Sequence, residues 1–181
     1  DLKAGRIVEG GSTIPQQLVK QLLDPSERRQ RSFKRKFKEL VLASRLVQRF
    51  SKEEIFALYL NEVYLGHNRY GVEAASRFYF SKSARELSLA ESAALAGIIK
   101  APEIFSPRKN PAAAEAGKKN VLAKAREEGI ISEADYAAAL KEEILIRDDF
   151  IKNCRRVPHA TNYARSVLKK EFGLFFDDVG K

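Results

Sequence analysis

The residues best equipped for chemistry sit close together near the start of the chain. In "RSFKRKFKEL", Arg31 to Leu40, one carboxylate stands among cations. Wound as a helix at about 100° per residue and counted from Phe33, Arg31, Arg35 and Glu39 fall at about 160°, 200° and 240°. They form one stripe, and Lys36 joins it by its i,i+3 spacing to Glu39. Such a stripe is either a solvated charged face, with Arg35 and Glu39 an ordinary surface pair worth about 0.3–0.5 kcal/mol, or a site for an anionic group. Just upstream, "GGSTIPQQLVK", Gly10 to Lys20, sets neutral hydrogen-bonding groups beside those cations. Gly10 and Gly11 permit a tight turn. Ser12, Thr13, Gln16 and Gln17 offer donors and acceptors without charge, which suits a polyhydroxylated ligand such as a sugar. The same residues also read as a helix start, with Ser12 or Thr13 as N-cap and Pro15 in the first turn. Both readings are compatible, because a helix N-terminus attracts phosphate.

The elements that must position these groups read as helices. Phe33, Phe37, Leu40, Val41 and Val47 recur at helical spacing and predict the buried face of the cation-bearing helix. "SKEEIFALYLNEVYLG" opens with a Ser51–Glu54 capping box, buries Ile55, Leu58 and Tyr59, and stops at Gly66. "YGVEAASRFYF" predicts a short helix. "SLAESAALAGIIKAP" predicts a central buried one, boxed by Ser88 and Glu91. A helix over about Ala112 to Glu128 ends at Gly129, and Ser132 caps the next. "EEILIR" is the lone strand-like stretch.

The composition narrows the class. The chain has 181 residues, 44% of them hydrophobic and 31% charged, enough for a domain with a real core. Its net charge of +9 points to an anionic partner. With one cysteine, Cys154, no internal disulfide or cysteine zinc cluster can form, and without a nearby histidine it is a poor nucleophile. No apolar run approaches the roughly 20 residues of a spanning helix. His67 and His159 are isolated, which is poor support for a metal site.

Five blocks together resemble the peptidoglycan glycosyltransferases, found in bifunctional class A penicillin-binding proteins and in monofunctional transglycosylases. "GGSTIPQQLVK" resembles the family's G-G-S-T-I-T-Q-Q block, and "RKFKE", Arg35 to Glu39, its R-K-x-x-E block. "LYLNEVYLG", "YGVEAASRFYFSK" and "ESAALAGIIKAPEIFSP" follow in the family's order. The resemblance covers about Ala4 to Lys141. It implies a mainly α, lysozyme-like glycosyltransferase fold over residues 1–147, truncated at its N-terminus. Residues 148–181 would then lead toward a transpeptidase domain, as "VPHATNYARSVLKKEFG" suggests.

The implied reaction polymerises lipid II. The growing strand on undecaprenyl pyrophosphate is the donor, and the 4-hydroxyl of an incoming lipid II attacks with inversion. Carried over residue by residue, Glu39 is the second acidic residue of the cleft. Lys20 and Arg31 match pyrophosphate-binding cations, with Arg35 and Lys36 as adjacent candidates. Ser12, Gln16 and Gln17 would line the glycan. Asn61 and Glu73 read as structural hydrogen-bond anchors. No residue is assigned to a metal, and a divalent cation, Mg or Mn, is the one cofactor left open. The implied partners are lipid II, the nascent glycan, a bacterial membrane's outer face and a transpeptidase domain in the same polypeptide, with no nucleic acid. Two departures bear on these expectations. The family's E-D-x-x-F-x-x-H-x-G block, with its general-base Glu, has no match here, so the isolated chain is expected to be impaired. Ser81 replaces Gly in "YFSK", which predicts a turn without positive φ. The rival functions are a glycan hydrolase, which uses two carboxylates and needs no cationic leaving-group pocket, and a basic helical nucleic-acid module. The latter lacks a C₂H₂ finger or an aromatic-interleaved basic patch.

Overall fold

A computed structural model describes residues 12–23 and 32–147. Among these residues there are seven α-helices and one short 3₁₀ turn, with no strand beyond a single antiparallel bridge between Tyr64 and Tyr70. The chain is mainly α, as its periodicity predicts. It divides into two compact units, Asp1–Leu60 and Asn61–Lys181.

In the first unit α1 (Ile14–Leu22) packs against α2 (Phe33–Arg49), followed by α3 (Lys52–Glu62), whose end crosses into the second unit. Thr13 is the N-cap of α1, and Pro15 occupies its first turn, where a missing N–H costs nothing. Ser32 caps α2 by accepting from the Arg35 amide at 3.2 Å. The Ser51–Glu54 box is present at the head of α3: the Glu54 amide donates to Ser51 Oγ at 3.2 Å, and the Ser51 amide donates to Glu54 at 2.8 Å. Leu18, Val19, Leu23, Leu42, Ala43, Leu46, Ile55 and Tyr59 make this unit's core.

The expected buried face of α2 is corrected. Phe33, Phe37, Leu40 and Val47 are 96%, 68%, 52% and 58% exposed, and Val41 is half-buried. The buried face carries Glu39, Leu42, Ala43 and Leu46 instead. The helix has two apolar sets. Leu42 and Leu46 fall at about 180° and 220° from Phe33, on the same side as the charged stripe. Burying that second set carries Glu39 inward with it.

In the second unit α3 ends at Glu62, four residues before Gly66, and a tight loop follows. The Tyr64–Tyr70 bridge closes this loop, with the Gly71 amide donating to Val63 O at 2.8 Å. Gly71 has φ +83°, and a Cβ there would stand 2.6 Å from the Asn61 carbonyl oxygen, so a side chain is excluded on both counts. Helix α4 (Val72–Phe80) ends on Ser81, whose φ is 57°. The expectation that Ser81 avoids positive φ is thus overturned. The helix stops through a left-handed residue whose amide donates to Arg77 O, and Ser fills the position glycine usually takes. Glu73 is the anchor its sequence position suggests: it accepts from the Ala84 amide at 2.8 Å and pairs with Arg77 at 2.6 Å. The 3₁₀ turn Ala84–Glu86 leads into α5 (Leu89–Lys100), buried along Ala90, Ala93, Ala94, Leu95, Gly97 and Ile98. Its Ser88–Glu91 box is formed, and Lys82 adds a 2.8 Å ion pair to Glu91. Helices α6 (Pro111–Glu127) and α7 (Glu133–Lys141) pack on α5 around Leu122 and Ala139. Gly129, at φ +69°, follows α6, and Ser132 caps α7. "EEILIR" joins no sheet. Its ends are held by Lys118 donating to Glu142 O at 2.7 Å and by Arg108 donating to Arg147 O at 2.8 Å. The expected connector, residues 148–181, lies outside the described residues.

Candidate active site

The first unit gathers most of the chemistry-bearing residues. Ser12 lies just before α1, and Gln16, Gln17 and Lys20 lie along that helix. Arg35, Lys36 and Glu39 lie on the first two turns of α2, which packs against α1. Glu39 is 2% exposed. Its Oε1 faces Arg35 Nε at 3.3 Å, and its Oε2 accepts from Lys36 Nζ at 3.2 Å. Lys36 Nζ also donates to Ser12 Oγ at 2.8 Å, across 24 residues of sequence. Gln17 Nε2 donates to the Ser12 carbonyl at 3.3 Å, and Gln17 Oε1 accepts from the Tyr59 hydroxyl at 3.2 Å. Tyr59 is buried, and burial raises its phenol above the ordinary range, which keeps it a proton donor.

The solvated-face reading of the charged stripe therefore fails at its central residue. Breaking a buried pair costs about 3–5 kcal/mol, against about 0.3–0.5 kcal/mol for an exposed helical pair. A carboxylate tucked under two cations cannot be a passive surface group. The Arg35–Glu39 contact is an ion pair without hydrogen-bond alignment, whereas the Lys36 contact has both. Lys36 is half exposed, its side chain 50% accessible. Its ammonium gives one donor each to Ser12 and Glu39, which leaves a third for a ligand.

Of the residues singled out from sequence, Ser12, Gln17, Arg35, Lys36 and Glu39 are brought together. Lys20 stands exposed on the last turn of α1 and Gln16 is half-buried. Neither shares a hydrogen bond or ion pair with that cluster among the described residues. Arg31 lies outside the described residues, as do Cys154 and His159. Tyr59 was missed as part of the site. Its place in "YLN" at helical spacing from Ile55 marks it only as core, and its bond to Gln17 spans 42 residues. Both Glu39 oxygens already face cations, which does not fit a metal ligand in this arrangement. Among the described residues no three His, Cys, Asp or Glu side chains gather as a metal set.

His67 belongs to the second unit. Its Nε2 is 2.8 Å from Ser106 Oγ, with Ser106 buried. Burial, then the positive charges of Lys109, Arg108 and Arg69, push its imidazole below the usual range, against the pull of Glu103. Tyr64 donates to Glu103 at 3.0 Å, and Glu103 pairs with Lys109.

The chain is similar to known proteins. The family model described as "Transglycosylase" matches residues 1–126. Penicillin-binding protein 1A of Aquifex aeolicus is 44% identical over 147 residues, covering 81% of this chain and 20% of that protein. Penicillin-binding protein 1A of Pseudomonas aeruginosa is 41% identical over 172 residues, covering 95% of this chain and 21% of that protein. A crystal structure of penicillin-binding protein 1A from Haemophilus influenzae superposes with a TM-score of 0.52 at 32% identity, covering 93% of this chain and 21% of that one. The chain thus spans about a fifth of the length of these relatives. With the match running through the Ser12 segment, α2 and most of the helical second unit, the chain belongs to the transglycosylase family.

Proposed function

We propose that this chain serves as a peptidoglycan glycosyltransferase unit. It polymerises lipid II by inverting transfer from an undecaprenyl-pyrophosphate-linked strand to the 4-hydroxyl of the incoming lipid II. The observation that carries this reading is the buried Glu39 holding Arg35 and Lys36, with Lys36 tied to Ser12. Transfer from a diphosphate donor leaves negative charge on the departing group. Fixed cations stabilise that charge best when they need no reorganisation as it develops. Glu39 supplies the fixing. It orients two cations from beneath, and the open side of Lys36 meets a phosphate oxygen. Ser12 Oγ accepts from Lys36, so its own proton is directed outward as a donor to a ligand oxygen. The family resemblance adds Lys20 and Arg31 as further cations for the diphosphate, and Gln16 as a neutral contact to the sugars. Proton removal from the attacking hydroxyl belongs to a group other than Glu39, because that carboxylate is buried under its cations.

The partner surface follows from α2. Phe33, Phe37 and Leu40 are exposed beside Lys34 and Lys36, an apolar face with basic flanks that suits the boundary of an anionic bilayer. No helix among the described residues is long and apolar enough to cross a membrane. The unit works at the outer face of the bacterial membrane, in one polypeptide with a transpeptidase domain, as the family resemblance implies. Incubating the full protein with lipid II tests the reaction. Longer glycan with release of undecaprenyl pyrophosphate is expected, while shortening of preformed glycan without growth would assign a hydrolase.

A further inference from the structure

Tyr59 is buried in the first unit, 5% exposed. It donates to Gln17 Oε1 at 3.2 Å. The Gln17 carboxamide is thus pinned at both ends: its oxygen receives the phenol O–H, and the Ser12 carbonyl, which can only accept, requires the NH₂ end. The NH₂ end is thereby turned to the Ser12 carbonyl at 3.3 Å. Ser12 in turn receives Lys36 on its hydroxyl at 2.8 Å, and Lys36 reaches Glu39 at 3.2 Å. We propose that Tyr59 is a positioning residue for the transfer reaction. It acts through Gln17 to hold the Ser12 segment where Lys36 can bridge it to Glu39.

The chain of contacts has a direction. Without the Tyr59 hydroxyl, the Gln17 oxygen loses its partner, and the carboxamide is free to swing away from the Ser12 carbonyl. The Ser12 segment loses its tether, and the ammonium of Lys36 loses one of two partners. Gln17 is consequently a brace, with both ends of its amide engaged inside the protein, rather than a glycan contact. The position of the cations at the developing charge is what suffers, so the loss falls on turnover more than on substrate capture.

This inference rests on the glycosyltransferase reading, and two readouts keep their failures apart. In the full protein, Tyr59→Phe is expected to lower kcat for lipid II polymerisation about five- to tenfold, the weight of one buried hydrogen bond, with KM changed less than about twofold. Gln17→Ala lowers it similarly, and the double variant is no slower than Gln17→Ala alone. Water exchange of the Gln17 side-chain NH₂, followed by NMR and assigned by its disappearance in Gln17→Ala, rises in Tyr59→Phe whether or not polymer is made. An unchanged Gln17 exchange rate, or kinetic losses that multiply in the double variant, would overturn the role of Tyr59. A wild-type protein that makes no polymer removes the transfer reading, and amide exchange then decides the Tyr59–Gln17–Ser12 linkage by itself.

Discussion

At the scale of single residues, the decisive fact is that Glu39 is buried while one of its two cations, Lys36, is not. Lys36 is half exposed while the carboxylate beneath it is 2% exposed. Replacing Lys36 with Met keeps most of the stem's packing and removes the charge. It should slow lipid II polymerisation about 10²-fold, the usual weight of one preorganised group at a developing anion, as read from steady-state turnover. Lys36→Arg restores charge but not the compact reach to both Ser12 and Glu39, so partial recovery is expected. The stripe of Arg35, Lys36 and Glu39 was legible from helical spacing alone. Its burial was not. Phe33 and Phe37 are larger than Leu42, Ala43 and Leu46, and an apolar count favours the wrong side. Which side packs is decided by α1, whose Leu18 and Val19 are buried in the same unit. The Tyr59–Gln17–Ser12 links were illegible for a related reason, since spacing along one helix says nothing of contacts 42 residues apart.

At the scale of elements, capping chemistry was the most readable layer. The boxes at Ser51, Ser88 and Ser132 all form, because each is settled within four residues. Ser81 shows where local reading fails. The stop of α4 imposes left-handed backbone at that position, and the sequence offers no glycine. Ser81→Gly should therefore stabilise the protein by about 1 kcal/mol, seen as a higher midpoint in thermal unfolding; a lower midpoint would mean the serine side chain holds the turn. The loop after α3 adds a pH dependence. His67 has its proton affinity lowered in the fold, first by burial and then by Lys109, Arg108 and Arg69. The unfolded chain then binds the proton more tightly, so its contribution is complete above the ordinary value of 6.5 and declines as pH falls below it. Unfolding at pH 7 and pH 5 should show this loss, and His67→Gln should remove it. The lowered carboxyls of Glu73 and Glu103 act in a separate window, below their ordinary value of 4.5.

At the scale of the whole molecule, the net charge of +9 and the exposed apolar face on α2 each suit the proposed anionic bilayer. Serine at Phe33, Phe37 and Leu40 together should weaken binding to anionic vesicles about tenfold or more in a sedimentation assay, because each exposed apolar side chain contributes through the area it buries in the bilayer boundary. Unchanged binding would move the contact elsewhere. The same triple change should leave polymerisation of detergent-solubilised lipid II near the wild-type rate, since the three side chains lie on the exposed side of α2 and Glu39 on its buried side. The central claim is that Glu39 holds the cations that receive the departing diphosphate. Its most direct test is the rate of lipid II polymerisation by the full protein carrying Glu39→Gln. A fall of about 10²-fold is expected, read well below a thermal midpoint that is itself lowered because Gln cannot replace a carboxylate buried between two cations; a rate equal to wild type would contradict the role given to Glu39.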